Sequence, residues 1–210
     1  MDWIYIFLCI ILAYLLGSIP VSVWIGKLFF NTDVRDQGSG NAGATNTFRV
    51  LGWKAGVPVF ILDVLKGWFA VSMVNFLPSI LIEGNNYYYI AIALAFAVIT
   101  GHVFPLFAGF KGGKGVASLL GVGIALFPMS GLAAFAVFIV VFLLSGYVSL
   151  SSLIASLSFP FLSLFLFGNN ELPLMILSFA VAVFIPLTHS KNIKRLLDGT
   201  ESRFLYKSKK

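Results

Sequence analysis

Residues 3–25 read W-I-Y-I-F-L-C-I-I-L-A-Y-L-L-G-S-I-P-V-S-V-W-I, and the whole stretch lacks charged side chains. A helix of about 20 apolar residues crosses the ~30 Å hydrocarbon core of a bilayer. Residues 172–190 are equally free of charge, and so are the 56 residues from 115 to 170. With 59% hydrophobic and 10% charged residues, the chain is predicted to be an all-α polytopic membrane protein. Because no basic segment precedes residues 3–25, we interpret them as a retained helix and not as a signal peptide.

The apolar stretches predict one membrane domain over residues 1–210, folded as a compact bundle of about seven transmembrane helices. The predicted spans lie near residues 3–25, 55–77, 88–107, 115–127, 131–146, 152–167 and 172–189. The fourth and fifth spans are short and are separated by F-P-M-S-G, which predicts either truncated helices or a re-entrant segment. Five conventional spans is the main competing count.

The charges predict the orientation. With seven spans and the N-terminus outside, all 14 Lys and Arg residues fall in or near cytoplasmic segments. The outer segments carry only Asp2, Glu83 and Glu171. The positive-inside rule produces such a separation, so the C-terminus is predicted to be cytoplasmic. The net charge of +6 is then mainly a topological signal, and it gives no reason to expect a nucleic-acid partner.

Three polar segments fall on the predicted cytoplasmic side, and each suits an anion. They read G-S-G-N-A-G-A-T-N-T-F-R at 38–49, G-H-V-F-P-L-F-A-G-F-K-G-G-K-G at 101–115 and H-S-K-N-I-K-R-L-L-D-G-T-E at 189–201. Glycine exposes backbone N–H groups in tight turns, and lysine and arginine add charge suited to phosphate. A Walker A loop is excluded, because Ala108 and Gly115 replace its glycine and its Ser or Thr.

For several charged and histidine side chains, a purely structural interpretation competes with a functional one. Asp63 and Lys66 are three residues apart inside a span, so an ion pair is favoured over a substrate role. Asp33 and Asp36 are predicted to be solvated loop charges and not cation ligands. His189, Asn192 and Arg195 are also spaced by three, which places them on one face of a helix. No metal site is indicated, because the two histidines lie in separate segments and cysteines do not cluster.

With L-D-V-L-K-G at 62–67 and Y-V-S-L-S-S at 147–152, these three segments resemble the bacterial acyl-phosphate:glycerol-3-phosphate acyltransferases, the PlsY family. The resemblance covers nearly the whole chain. It implies a seven-helix membrane enzyme of the cell membrane, with an active site that faces the cytoplasm. The implied reaction moves a fatty acyl group from acyl phosphate to the 1-hydroxyl of sn-glycerol 3-phosphate in phospholipid synthesis. The resemblance does not call for a cofactor. It also implies functional coupling to the enzyme that makes acyl phosphate. Gly146 departs from the family pattern, in which a basic residue precedes the Tyr-Val-Ser-Leu stretch.

The resemblance also implies site residues. Glycerol 3-phosphate is placed against Ser39, Arg49, Lys111, His189 and Asn192. Acyl phosphate is placed against Asn41, Thr45, Asn46, Gly112, Gly113, Lys114 and Ser149. Further substrate-binding positions are Gly40, Gly43, Gly115 and Arg195. The catalytic candidates are His189, His102, Lys111 and Arg49.

Two alternatives for the base stay open at the level of sequence. A histidine, with His189 ahead of His102, could take the hydroxyl proton. In the second alternative, which we favour, a phosphate oxygen of the acyl donor takes it. A covalent acyl-enzyme is disfavoured, because no Ser or Cys has a His and an acid in a known pattern. The competing class is a transporter for a phosphorylated solute, which more often has an internal repeat and charges near the bilayer midplane.

Overall fold

The computed structural model describes residues 3–205, and helices are the only regular structure in that range. The α-helices in this described range are α1 Trp3–Ser18, α2 Val21–Phe30, α3 Ala44–Leu51, α4 Trp53–Ser72, α5 Asn86–Val103, α6 Val116–Leu126, α7 Pro128–Ser145, α8 Val148–Phe161, α9 Leu172–Thr188 and α10 Ser190–Leu197. A π-helical turn, Leu162–Leu166, continues α8. The predicted all-α class is thereby confirmed. Four charges used to predict the orientation, Asp2, Lys207, Lys209 and Lys210, lie outside the described residues.

Several helices are long and apolar enough to cross a membrane. Within residues 3–205, four meet this description by themselves, and the number rises to six if each of two bent helix pairs counts as one span. The four are Trp53–Phe76, Asn86–Ala108, Pro128–Ser145 and Val148–Leu166. Helix α6 has 11 residues and is about 16 Å long, too short to cross a bilayer alone. The predicted count of seven stays a prediction.

The first predicted span differs from the structure, because it is broken. Helix α1 ends at Ser18, α2 begins at Val21, and the two are bent by 41°. Pro20 has no N–H and therefore cannot donate the next helical hydrogen bond at this point. Its carbonyl instead accepts the N–H groups of Val23 and Trp24, both at 3.0 Å, which starts α2. The prediction of one continuous helix over 3–25 was wrong at this proline.

The chain divides into two compact units, Met1–Leu126 and Phe127–Lys210. The prediction of one domain stays a prediction. In the first unit, α1 packs on α5 and α4 packs on α6. Both crossings are lined by glycine: a Cβ at Gly101 would clash with the carbonyl of Tyr14, and one at Gly67 with that of Ser118. Small residues allow such close approach of helices in membranes.

The second unit contains α7 to α10. Its first helix begins at Pro128 and not near residue 131, because proline is favoured in the first turn of a helix. The predicted five-residue break therefore shrinks to Phe127, whose ring meets that of Phe159 edge to face at 5.2 Å. At the other end of the unit, α9 and α10 are bent by 63° at a break occupied by His189.

Candidate active site

The loop before α3 is built around Asn46. Its side chain is 1% exposed, and its Nδ2 donates to the carbonyls of Val34 at 2.6 Å and Gln37 at 3.1 Å. Its Oδ1 accepts from the backbone N–H of Ser39 at 2.8 Å and from its hydroxyl at 3.1 Å. Gly38, with φ of +63°, must stay small, because a Cβ there would clash with Oδ1. The Asn46 amide thus holds the first loop, which we define as residues 37–43.

The other predicted binding residues of this segment surround that framework. Arg49 is exposed in the last turn of α3, and its guanidinium makes no hydrogen bond or ion pair within residues 3–205. Asn41 and Thr45 are half-buried, Gly43 is buried, and Gly40 is exposed. The structure thus places Arg49, a guanidinium suited to phosphate, beside a fixed turn. The predicted substrate contact of Asn46 stays a prediction, since its polar atoms here contact the loop itself.

Arg35, just before the first loop, contacts the segment that follows α5. Its guanidinium donates to both carboxylate oxygens of Asp33, at 3.0 and 2.8 Å, and to the carbonyl of Ala108 at 2.8 Å. Lys27 forms a second ion pair with Asp33 at 3.2 Å. The hydrogen bond from Arg35 holds the pKa of Asp33 well below its usual range, and Asp33 in turn raises the pKa of Arg35. The prediction that Asp33 is a solvated loop charge was wrong, because these two cations pair with it.

The second loop, defined as residues 111–115, packs against the end of α5. The N–H of Gly112 donates to the carbonyl of Val103 and that of Gly113 to the carbonyl of His102, both at 3.1 Å. A Cβ at Gly113 would clash with Nε2 of His102 and lie 2.9 Å from the carbonyl of Ala42. Only glycine therefore fits where the first and second loops meet.

Lys111 and Lys114 flank this contact. Lys111 is exposed and its ammonium has no hydrogen bond or ion pair within the described chain, and Lys114 is half-buried. Gly115, at φ +81°, ends the second loop, and its carbonyl accepts from Leu119 in the first turn of α6. The structure thus brings two of the three predicted anion-binding segments together in the first unit. It offers phosphate an exposed arginine, an exposed lysine and tight backbone turns.

A charged pair lies buried below these loops. Lys66 Nζ is 2.8 Å from Asp63 Oδ1, which confirms the predicted ion pair. The ammonium also donates to the carbonyls of Gly17 and Ile19 at the break between α1 and α2, each at 3.2 Å. The Asp63 carboxylate lies 3.7 Å from Nδ1 of His102, and Ser118 Oγ lies 3.2 Å from the same nitrogen. His102 is 6% exposed.

The third predicted segment belongs to the second unit and is organised by Glu201. Its carboxylate accepts from Ser149 Oγ at 2.8 Å, Asn192 Nδ2 at 2.7 Å and Arg195 Nε at 2.6 Å. Burial alone would raise the pKa of Glu201, but the hydrogen bonds from Arg195, Asn192 and Ser149 outweigh it and lower this pKa. Sequence reasoning assigned no role to Glu201, although the spacing of Asn192 and Arg195 on one helix face signals a shared partner.

His189 does not continue that helix face. It lies at the break between α9 and α10, where its Nδ1 is 2.9 Å from the carbonyl of Ile185 and 3.2 Å from Thr188 Oγ1. Gly146, the departure from the family pattern, ends α7 with φ of +75°. A basic side chain would be strained in that left-handed conformation. Within residues 3–205, no group of three or more His, Cys, Asp or Glu side chains could hold a metal ion.

Fold and polar loops together define a multi-pass helical membrane protein with turns suited to phosphate. The sequence profile described as glycerol-3-phosphate acyltransferase matches residues 7–199. The chain belongs to this family and is a membrane acyltransferase.

Individual relatives agree. The chain is 46% identical to a glycerol-3-phosphate acyltransferase of Listeria monocytogenes over 92% of this chain and 93% of that one. It is 45% identical to one of Fusobacterium nucleatum over 95% and 99%. A crystal structure of PlsY, an integral membrane glycerol 3-phosphate acyltransferase in its glycerol 3-phosphate form, matches with a TM-score of 0.84 and 41% identity over 95% of both chains. Its lysophosphatidic acid form matches with a TM-score of 0.81 and 40% identity over 94% of both chains.

Proposed function

We propose that this chain transfers a fatty acyl group from acyl phosphate to the 1-hydroxyl of sn-glycerol 3-phosphate. The products are lysophosphatidic acid and inorganic phosphate, in the first acylation step of phospholipid biosynthesis. Membership of the acyltransferase family supports the acceptor. The two forms of the solved relative carry a substrate and a product of such a reaction. Acyl phosphate as donor rests on the resemblance of the three polar segments to the PlsY motifs.

One observation carries this proposal: the first and second loops meet at Gly113, which lies between His102 and Ala42. Both proposed substrates carry a phosphate group. The side chains of Lys111 in the second loop and of Arg49 in α3 make no hydrogen bond or ion pair among residues 3–205. Arginine and lysine bind phosphate strongly when backbone N–H groups fix its position. We therefore assign the two phosphate subsites to the region where the loops meet, with each subsite drawing residues from both segments.

The residue assignments follow the resemblance. Glycerol 3-phosphate is assigned to Ser39, Arg49 and Lys111, and acyl phosphate to residues 112–114 with Asn41 and Thr45. The roles of His189, Asn192, Ser149 and Arg195 rest on the resemblance alone. Glu201 holds the last three in place by direct hydrogen bonds, so it is assigned a supporting role.

In the proposed step the hydroxyl oxygen of glycerol 3-phosphate forms a bond to the acyl carbon. The bond between that carbon and the phosphate oxygen breaks, and phosphate leaves with the electron pair. The hydroxyl proton passes to an oxygen of the departing phosphate, so charge and atoms balance without an external base. The protein then acts by holding the two reactants together and by stabilising developing negative charge with its cations.

Burial of both histidines supports proton transfer to the substrate. His102 is 6% and His189 is 3% exposed. Nδ1 of each ring contacts protein atoms: Ser118 in the case of His102, and Ile185 in the case of His189. A general base must reach the proton it removes within hydrogen-bonding distance. We accordingly do not assign His189 as the general base, and its proposed contact with the acceptor rests on the resemblance.

The orientation of the proposed enzyme follows from its charges. We propose seven spans with the N-terminus outside, in the cell membrane, and an active site that faces the cytoplasm. The distribution of the 14 Lys and Arg residues supports this arrangement. Cysteine labelling from either side of sealed membranes, at positions in the segment 79–85 and in the second loop, tests it.

The test of function is phosphate release by detergent-purified protein supplied with acyl phosphate. We expect release to require glycerol 3-phosphate, to yield lysophosphatidic acid and to fail with acyl-CoA as donor. Arg49→Ala and Lys111→Ala should lose about 100-fold or more in kcat/KM, since each removes a phosphate-binding cation. Lys54→Ala is the matched control, because Lys54 is exposed in the first turn of α4 and has no assigned contact.

A folded protein that turns over neither donor would refute the acyl transfer. Uptake of a phosphorylated solute into proteoliposomes would then test the transporter alternative. Turnover with acyl-CoA but not with acyl phosphate would keep the acyltransferase and replace its donor.

A further inference from the structure

His102 lies in the last turn of α5, where α4, α6 and the second loop meet. One side of its ring faces the two helices. Nδ1 lies 3.2 Å from the hydroxyl of Ser118 in the first turn of α6, and 3.7 Å from the Asp63 carboxylate of α4. Ser118 is fully buried, and its backbone is at the closest approach of α6 to Gly67 of α4. On this side the ring therefore contacts buried atoms of both helices.

Asp63 is held in turn by Lys66. The Lys66 ammonium forms an ion pair with Asp63 Oδ1 at 2.8 Å, and it donates hydrogen bonds to the carbonyls of Gly17 and Ile19, each at 3.2 Å. The two carbonyls lie where α1 ends, and their normal helical partners are lost at the break. The buried charge is thus balanced, and it links the first helix to the His102 ring.

The other side of His102 carries the second loop. Its carbonyl accepts the N–H of Gly113 at 3.1 Å, and its Nε2 lies where a side chain of Gly113 would project. The carbonyl of Ala42, from the first loop, borders the same position. The imidazole is therefore the surface on which the Gly113 turn sits, and any shift of the ring moves the contact between the two loops.

We propose that His102 is a positioning residue, and that Ser118, Asp63 and Lys66 fix its ring so that both phosphate-binding loops keep their relative place. This inference rests on the proposed function, because the second loop is assigned to phosphate binding there. It assigns a role to Ser118, Asp63 and Lys66, which lie outside the predicted site. It also replaces the alternative in which His102 is a general base.

Two substitutions of His102 distinguish these roles. The amide nitrogen of Asn can occupy the place of Nδ1, whereas that of Gln reaches the place of Nε2. For His102→Gln we expect the Kd of glycerol 3-phosphate, measured by calorimetry, to rise about tenfold, as a slightly displaced site would show. His102→Asn should raise it by only about threefold, since the contact with Ser118 is kept. The shape of the pH profile of kcat should be the same in both variants and the unaltered protein.

Ser118→Ala gives a second route if either histidine variant fails to fold. It removes the hydroxyl beside Nδ1, and we expect the Kd of glycerol 3-phosphate to rise by about fivefold. Ser22→Ala is its matched control, since the Ser22 hydroxyl is buried in the same unit and has no hydrogen-bond partner within residues 3–205. The Kd of this control should not change.

Three outcomes would overturn the assignment. A loss of about 100-fold or more in kcat in both histidine variants, with Kd unchanged and the acid limb of the pH profile gone, would make His102 a base. An unchanged Kd in His102→Gln and Ser118→Ala would remove any positioning role, as would an equal change in Ser22→Ala. The failure of the proposed function is seen separately, because the unaltered protein would then transfer no acyl group from acyl phosphate.

Discussion

Asn46 in the first unit and Glu201 in the second organise their surroundings with opposite chemistry. The Asn46 amide donates two hydrogen bonds and accepts two, so it joins backbone carbonyls to donors of the same loop. The Glu201 carboxylate accepts three bonds and can gather only donors. The amide holds its loop without any charge, whereas the carboxylate does so only while it is ionised. The comparison shows how a neutral and a charged residue can each fix a polar segment of the chain.

The largest effect is expected when the neutral centre is given a charge. Asn46→Asp keeps the acceptor for Ser39 but turns a carboxylate oxygen toward the carbonyls of Val34 and Gln37. An uncompensated buried charge should destabilise the protein by about 3–5 kcal/mol. Thermal unfolding in detergent measures this, with Asn31→Asp as control, because Asn31 is exposed. A change in Asn46→Asp no larger than in the control would break the comparison.

A smaller loss is expected when the charged centre is made neutral. Glu201→Gln turns an amide N–H group toward Arg195 and loses a charge-assisted bond, which should cost about 2 kcal/mol. The Arg195 side chain is 41% exposed, so water partly compensates the loss. The same unfolding assay measures the cost. Glu171→Gln, at an exposed carboxylate, is the control and should leave the unfolding temperature nearly unchanged.

The two centres should also differ in their response to acid. Because the folded-state pKa of Glu201 is lowered, its contribution to stability is complete above the unfolded-state pKa and is lost as the pH falls through the folded-state value. The unaltered protein should lose stability below about pH 4.3, the ordinary glutamate value. Over this range the stability difference between it and Glu201→Gln should shrink. Unfolding temperatures recorded from neutral to acid pH test this, and a constant difference would contradict it.

The smallest expected effect sharpens the view of the first loop. Arg35→Lys keeps the charge but loses the paired contact with Asp33 and the bond to Ala108. It should cost about 1 kcal/mol and raise the Kd of glycerol 3-phosphate about threefold, because lysine cannot reproduce the planar fork. Lys27→Gln is the comparison variant and should cost less, since that side chain is 56% exposed. Calorimetric titration with glycerol 3-phosphate measures the Kd in both variants.

The sequence allowed the membrane class, the main apolar stretches and the motifs to be predicted, because these depend on local composition and short spacing. The pair Asp63 and Lys66 was predictable for the same reason, since residues three apart on a helix are neighbours. Helix ends were predicted less well where proline has two roles. Pro20 breaks the first span, whereas Pro128 starts a helix.

Contacts between distant parts of the chain could not be predicted. Arg35 meets Ala108 across 73 positions, and Ser149 meets Glu201 across 52. Neither pairing leaves a pattern in a single sequence. Asn46 was placed at acyl phosphate by the resemblance, and that contact stays a prediction. Its hydrogen bonds to the carbonyls of Val34 and Gln37 and to Ser39 could not be predicted, because backbone partners leave no pattern in a sequence. The part that Asn46 plays in holding the loop thus required the folded chain.

The contacts of Lys66 bear on how the protein is made. When α4 enters the lipid during synthesis, it carries the charged side chains of Asp63 and Lys66 with it. These charges make α4 a less favourable membrane segment than its apolar neighbours. The earlier helix α1 and the break that follows it present the two carbonyls that receive the ammonium. The second long apolar helix therefore gains its full stability only beside the first, and synthesis in chain order supplies them in that sequence. The break after α1 and the charge in α4 thus come together in one step of assembly, in which the ammonium of Lys66 meets the carbonyls of Gly17 and Ile19.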